Sequence, residues 1–417
     1  MKHSTTQPPN HRTTEPPNQS WPLLVFLFSL ANFLEIAIMA HYVLFTPAFL
    51  STIGFGEQDI NAWTGPLASV AFLVGIWFVP LWGVFADRYG RKPLILRSYY
   101  VEVAAMVIAA LSQNVWLYLV GRALTGLALG NTGLMYASVT ETAPRHRLAL
   151  SLGLINGSAP LGGLVGGVVG GYVVSQFGVH TLFWMDAAVA AVIALLLTLF
   201  YRETFVPKPT PPIPVMLSNA LGAVAHSQVA LTIFVVSFAY SAAFFFSFAY
   251  LPVRIGEMVG LQAAPAAIGI TQGVAGATTL VGSAIWGALA DRLGHRRLLV
   301  VLMATAMVLW VPIYTAQDVL YLTVLWALFN VVSPSVSSLM ITIISLNVPA
   351  DKRGAVLSMI YMPLNVAFVV APFTASLVAR NLEVRDVFLV SAALSLLALI
   401  IFVTNIQRTR EHARAEG

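Results

Sequence analysis

Apolar residues are gathered into twelve long runs separated by short polar breaks. The first six lie at 22–49, 62–82, 94–112, 115–138, 149–174 and 181–201, and the second six at 229–251, 266–286, 298–315, 319–346, 355–379 and 386–406. Roughly twenty mainly apolar residues cross a hydrocarbon layer as a helix. The pattern therefore predicts an all-α membrane protein with twelve transmembrane helices. Its one long break holds Pro207, Pro209, Pro211, Pro212 and Pro214. Proline interrupts helices, so this connector is the expected boundary between two six-helix bundles, 21–203 and 229–407, with 204–228 as linker. Within the linker, 213–224 is amphipathic and predicts a helix lying along the membrane surface. Residues 1–20, rich in Pro, Thr, Asn and Gln, predict a disordered tail, and 408–417 a second, short one. The run from Trp21 is long enough to span and is followed by further spans, so it predicts a retained helix rather than a cleaved leader.

Composition sharpens this picture. Only 9% of residues are charged, 58% are hydrophobic, and the mean hydropathy is +0.82. Soluble domains average about 25% charged residues, so this chain does not cover itself in water. With no cysteine, it has no disulfide, thiolate nucleophile or thiolate metal site. It lacks a phosphate-binding lysine loop, an H-E-x-x-H helix and a G-x-S-x-G turn, and its histidines do not cluster like metal ligands. Nothing predicts an enzyme, a cofactor or a metal. The net charge of +5 is spread over short loops, which excludes nucleic acid as a partner. The partners expected are the lipid bilayer, a small-molecule substrate and protons, acting on a monomer.

The same basic residues orient the chain. Arg88, Arg91, Lys92, Arg145, Arg147, Arg202, Lys208, Arg292, Arg296, Arg297, Lys352 and Arg353 fall in one set of loops. If the span count is even, the tails add Lys2, Arg12, Arg408, Arg410 and Arg414 to that side. Loops on the other side hold only Arg254, Arg380 and Arg385. Cytoplasmic loops carry the excess of Lys and Arg, so both termini are expected in the cytoplasm and the protein in the cell (bacterial inner) membrane.

After the second run of each half stands one signature, Gly83-Val84-Phe85-Ala86-Asp87-Arg88-Tyr89-Gly90-Arg91-Lys92 and Gly287-Ala288-Leu289-Ala290-Asp291-Arg292-Leu293-Gly294-His295-Arg296. A glycine allows close helix approach, an aspartate can accept from amides at a helix start, and a second glycine permits a tight turn. Two copies at equivalent places predict pseudo-symmetric bundles with substrate near the midplane between them. The signature resembles that of the major facilitator superfamily, with Phe85 in place of the usual Leu and His295 where Arg is common. The resemblance runs from about Trp21 to Gln407. It implies alternating access by rocking of the two bundles. It also implies a cytoplasmic gate built from Gly83, Asp87, Arg88, Gly90, Arg91, Asp291, Arg292 and Gly294, with Glu141 latching to Asp87 and Arg91.

Charged groups inside spans cost about 2.5–3.5 kcal/mol on insertion scales, so each calls for a reason. Glu35 lies mid-way along the first run, on one helical face with Asn32, Met39 and Tyr42. Buried there, it must pair with a cation or take up a proton, which suits a proton carrier or recognition of a cationic solute. Arg122 stands about 10 Å below the outer surface. It lies in Gly121-Arg122-Ala123-Leu124-Thr125-Gly126, which resembles the family's R-x-x-x-G pattern and so implies proton coupling. The alternative is a structural arginine paired with a carboxylate. Glu102 either couples protons or pairs with Arg97 or another helix. Asp186, near the outer end of the sixth run, is a coupling candidate or an interfacial residue. No acid lies deep in the second half, so proton chemistry is expected mainly in the first bundle.

Glycine repeats at 162–171 in the fifth run predict close packing, with Gly269, Gly273 and Gly276 of the eighth as the complementary strip. Gly157-Ser158-Ala159-Pro160-Leu161-Gly162-Gly163 is close to the fifth-span motif of the family's antiporters, with its proline displaced. The resemblance also places the first, fourth, seventh and tenth spans around the substrate cavity, to which they bring Asn32, Asn131, Tyr136, Tyr240, Phe245, Trp326 and Asn330. The eleventh adds Tyr361 and Asn365. Many aromatics and few charges suit an apolar or amphipathic solute. The expected function is secondary active transport, as proton-coupled efflux. A proton symporter or facilitator of a metabolite, and a non-transporting sensor, are the alternatives.

Overall fold

The computed structural model describes residues 20–203, 213–348, 356 and 359–415. Lys2, Arg12, Lys208, Lys352, Arg353, residues 1–19 and the connector prolines Pro207, Pro209, Pro211 and Pro212 lie outside them. The first six spans are Trp21–Thr52, Glu57–Tyr89, Arg91–Leu111, Val115–Ala128 continued by Asn131–Thr142, Leu148–Phe177, and Val179–Phe200. The second six are Gln228–Phe248 continued by Leu251–Val259, Ala264–Leu293, His295–Thr315, Val319–Asn347, Met362–Asn381, and Asp386–Ala415. Among the described residues there is no strand, and eleven helical stretches are long and apolar enough to cross a membrane. The fourth span, in two shorter pieces, makes the twelfth crossing. The amphipathic stretch of the connector forms a helix, Ile213–Ala225.

Two spans depart from the continuous helices expected. The run 115–138 is broken because Gly130 sits at φ +101°, in the left-handed region. Only glycine takes that conformation without strain, and Gly126 and Gly133 nearby weaken the helix further. The seventh span turns at Ala249–Tyr250, just before Pro252, which has no N–H to continue the ladder. The eleventh helix, expected over 355–379, begins only at Met362, just ahead of Pro363, and most other helices outrun the apolar cores by a few residues, because polar end residues carry them into the interface. The signature glycines behave as the tight turn requires: Gly90 is at φ +90° and Gly294 at φ +84°.

Packing repeats with a period of six spans. The first span packs on the fifth as the seventh packs on the eleventh. The second packs on the fourth as the eighth on the tenth. The third meets the fourth and sixth as the ninth meets the tenth and twelfth. The bundles meet along two seams related by the same symmetry, fifth on eighth and second on eleventh. Glycine permits both. A Cβ at Gly171 would stand 2.6 Å from the Pro265 carbonyl oxygen, one at Gly269 2.7 Å from that of Gly167, and one at Gly65 1.9 Å from that of Pro372.

Both seams lie toward the end of the molecule away from the signature loops. At the signature end, Gly153, Gly157 and Gly163 of the fifth span, Gly83 of the second and Gly287 of the eighth have nothing within 4 Å of a Cβ position. There the bundles part. Around the outside, Phe26, Trp77, Val192, Leu195, Ile270 and Leu320 are more than half exposed, an apolar belt that water would not tolerate and lipid solvates.

Candidate functional site

Buried ionisable side chains are concentrated in the first bundle. Among the described residues, the buried carboxylates, histidine and arginine are His41, Glu102, Arg122 and Asp186, whereas the second bundle buries only neutral polar groups such as Gln272 and Asn330. Glu35, half-buried, accepts from Tyr99 Oη at 3.0 Å and Asn131 Nδ2 at 3.4 Å, so no cation neutralises it. Asn32 donates to the Ile155 carbonyl at 3.0 Å and Ser158 Oγ at 2.9 Å, tying the first span to the fifth. Of the face predicted for Asn32, Glu35, Met39 and Tyr42, only Met39 reaches the cavity described below.

Arg122 is buried without a carboxylate partner. Its Nε donates to the Leu67 carbonyl at 3.0 Å, a second nitrogen reaches the Ala68 carbonyl at 3.4 Å, and its guanidinium lies 4.5 Å over the Tyr42 ring. Glu102 is not paired with Arg97, whose guanidinium sits on Trp82 at 3.4 Å from the ring centre. One oxygen of Glu102 is buried without a hydrogen bond, within electrostatic reach of Glu35 and Asp186. Asp186 is not interfacial. It is 2% exposed and faces His41, with Nδ1 at 2.9 and 3.0 Å from its two oxygens.

At the signature end Arg91 grips Glu141 through two nitrogens at 2.6 and 2.7 Å. Both residues belong to the first bundle, so this fork joins the third span to the fourth and not one bundle to the other. Asp87 stands in the last turn of the second span rather than at a helix start. The role of accepting from amides at the start of the third span falls to Glu203, whose two oxygens take the Arg91 and Lys92 N–H groups at 2.8 and 2.7 Å. A carboxylate there satisfies free amides and the positive end of the helix dipole. Glu203→Ala is expected to cost about 1 kcal/mol, read as a lower unfolding midpoint of the purified protein. In the second copy His295 Nε2 lies 3.7 Å from Asp291, and Arg296 bonds Asn347 at 2.6 Å, a neutral acceptor where the first half uses Glu141. Arg88 and Arg292 are exposed, and Gly83 borders the parted region.

A cavity of about 310 Å³ lies at the middle of the molecule. Its walls come from the first, fifth, seventh, eighth, tenth and eleventh spans, and the fourth contributes none. Phe244, Phe245, Phe248, Phe368 and Met39 are its largest apolar side chains, and the polar groups are Gln272, Thr279 and Asn330. Among the described residues no charged side chain lines it. Of the nine cavity residues expected from the sequence, it holds Phe245 and Asn330. Asn131 is buried beside Glu35, Tyr240 donates to Ser333 at 3.0 Å, and Trp326 is stacked inside the second bundle against Phe329 and Phe244. Tyr136 bonds Asn156, while Tyr361 is exposed and Asn365 half-exposed outside the cavity wall. Below the cavity, Phe72 and Phe368 stack across the second seam, 3.7 Å apart and 8° from parallel.

The comparisons agree with this architecture. The Major Facilitator Superfamily profile matches residues 23–277 and 255–417. The chain belongs to the Major Facilitator Superfamily. It is a multi-pass integral membrane protein and a secondary transporter of small molecules, not an enzyme. Multidrug resistance protein MdtG of Klebsiella pneumoniae (strain 342) is 28% identical over 88% of this chain and 90% of that protein. Among solved structures, the POT family transporter PepTSo superposes with a TM-score of 0.74 at 15% identity, covering 94% of this chain and 99% of that one. A bacterial homolog to human lysosomal transporter Spinster, in its inward-facing and unoccupied conformation, gives 0.73 at 13% identity, over 92% and 96%. Both show the fold alone.

Proposed function

We propose that this transporter exports apolar or amphipathic solutes in exchange for protons. The observation that carries the reading is the separation of two chemistries. The cavity wall is phenylalanine-rich and uncharged, while the ionisable groups sit behind it inside the first bundle. A solute in that cavity gains from apolar burial and aromatic stacking and meets only a few orienting amide and hydroxyl groups. Glu35, turned toward Tyr99 and Asn131, is better placed to hold a proton than to grip a cationic solute. Glu102, Arg122 and Asp186 belong to the same proton-coupling core on this reading. Similarity to proteins named for multidrug resistance supports the substrate class. The loop charges support placing both termini and the signature end in the cytoplasm of a bacterial cell, with the protein in its inner membrane as a monomer. The conformation described is then inward-facing, with bundles 21–203 and 229–407 hinged by the linker 204–228. On this reading the signature residues gate the cytoplasmic side in the opposite conformation, where the parted ends meet.

Proteoliposomes under an imposed proton gradient, loaded in parallel with a neutral aromatic dye, a cationic amphiphile and a sugar, test the proposal. Dye accumulation against proton flow is the expected result. Accumulation along proton flow identifies a symporter, gradient-independent equilibration a facilitator, and binding without flux a sensor. Each of these outcomes overturns exchange.

A further inference from the structure

The His41–Asp186 pair holds a count of protons that its hydrogen bonds fix. His41 Nε2 lies 2.8 Å from the Gly166 carbonyl, an oxygen that can only accept, so Nε2 carries a proton. Nδ1 lies 2.9 and 3.0 Å from the two Asp186 oxygens, so one further proton stands between ring and carboxyl group. The pair is neutral in sum whichever partner holds it. Both residues are at most 3% exposed.

Remove that one proton and the arrangement fails. A neutral imidazole has a single N–H, which cannot serve Asp186 and Gly166 together. The charged acceptor makes the stronger hydrogen bond, so the N–H goes to Asp186 and the tie to Gly166 is cut. Gly166 is not a neutral place to lose a tie. A Cβ there would stand 2.8 Å from Ala37 of the first span, and one at Gly170 2.7 Å from His41 itself. The next residue, Gly167, faces Gln272 across the seam to the eighth span, 2.8 Å from a Cβ position to the Gln272 Cβ. The fifth span is thus held between the first span on one face and the other bundle on the next.

We propose that His41 and Asp186 form a one-proton strut: protonated, it pins the fifth span in the closed outer seam, and deprotonated it lets that seam open. The proposal deepens the exchange reading and has the sign that reading needs, since a proton taken from outside would return the protein to the inward-facing state. The other ionisable groups within electrostatic reach of Asp186 are Glu102 from the third span and Tyr42 from the first, and Arg122 and Tyr118 of the fourth stand behind them, against the Tyr42 ring. The fifth span meets His41 through Gly166 and Gly170, and the eighth meets the fifth through the uncharged Gln272 at Gly167.

The chain has no cysteine, so spin labels at Gln176→Cys and Gln262→Cys, both exposed at the outer ends of the fifth and eighth spans, report the seam cleanly. The measurement uses purified full-length protein without solute or gradient, so it can fail or succeed whether or not the chain proves to be an exporter. Titrated from about pH 5 to about pH 9, which brackets the ordinary histidine range, the ratio of closed to open seam is expected to fall about tenfold for each tenfold difference in proton affinity between the two states. Asp186→Asn places an amide donor opposite Nδ1, so the neutral ring keeps its Nε2–H on Gly166, and the seam is expected to stay closed throughout. His41→Phe removes the strut and is expected to shift the seam open at every pH. A seam that does not respond to pH in the parent, or a response that survives unchanged in Asp186→Asn, overturns the proposal.

Discussion

Gly65→Ala is expected to drive the protein out of the conformation described here while leaving it folded. A methyl group at Gly65 would stand 1.9 Å from the Pro372 carbonyl oxygen and 3.0 Å from the Ser376 Cβ. Neither neighbour is a flexible side-chain tip, so the two helices must separate. The same spot carries Tyr250 of the second bundle, which accepts from Gly65 N–H at 3.2 Å and donates to the Asn61 carbonyl at 2.7 Å. Separation therefore also loses a buried bridge between bundles. Overpacking costs about 1–3 kcal/mol, and at 1.4 kcal/mol per factor of ten that range moves a two-state equilibrium by roughly five- to somewhat over a hundredfold. Because the two seams are related by symmetry and the bundles are internally well packed, forcing one open opens the other. The label pair at Gln176→Cys and Gln262→Cys should lengthen, and transport should fall with it. Gly126→Ala is the contrast. Its clash, 2.2 Å from the Ala71 carbonyl oxygen, lies between the second and fourth spans of one bundle, so the expected result is a lower unfolding midpoint. If Gly65→Ala instead destabilises folding as Gly126→Ala does and leaves the label distance unchanged, the seam is not the moving part.

What the sequence disclosed and what it hid divide along physical lines. Span number, the repeat and the glycine-lined meeting of the fifth and eighth spans were legible, because hydropathy, a duplicated motif and period-four glycines each leave a local signature. Gly269 does meet Gly167 and Gly171, and Gly273 meets Val168. The break at Gly130 was not legible, since glycines spaced as Gly121, Gly126, Gly130 and Gly133 are are equally compatible with a continuous, tightly packed helix. The cavity wall was mostly hidden. Ala40, Ala159, Gly163 and Ala275 line it, and small apolar residues look alike whether they face a solute, a helix or lipid. Large aromatics such as Trp326 suit a cavity wall equally well and sit in the interior of a bundle instead. His41 was hidden for a different reason. A histidine in an apolar run has no evident role until its partner is known, and Asp186 lies 145 positions away. Glu203 is a similar case, placed just beyond a span where an acidic residue reads as interface.

Glu35→Gln is expected to abolish gradient-driven accumulation, leaving only passive leak, while solute binding persists. Glutamine keeps the size of the side chain and can still accept from Tyr99 and Asn131, which hold the carboxylate at 3.0 and 3.4 Å. What it cannot do is gain or lose a proton. Because Glu35 does not line the cavity, and among the described residues no charged group does, the substitution removes nothing that a neutral solute touches, so its affinity should stay within a few-fold of the parent's. A reading in which Glu35 recognises a cationic solute directly predicts the opposite split: weaker binding of cations, with transport of neutral compounds intact. Binding measured by tryptophan quenching beside uptake into everted vesicles separates the two. Transport that persists at the parent's rate, still dependent on the gradient, would remove Glu35 from the coupling and leave Glu102 and the His41–Asp186 pair to carry it. Lost binding of the neutral dye would instead show that the wall between the acid and the solute is open in the working protein, so that the separation of proton from cargo fails as its organising feature.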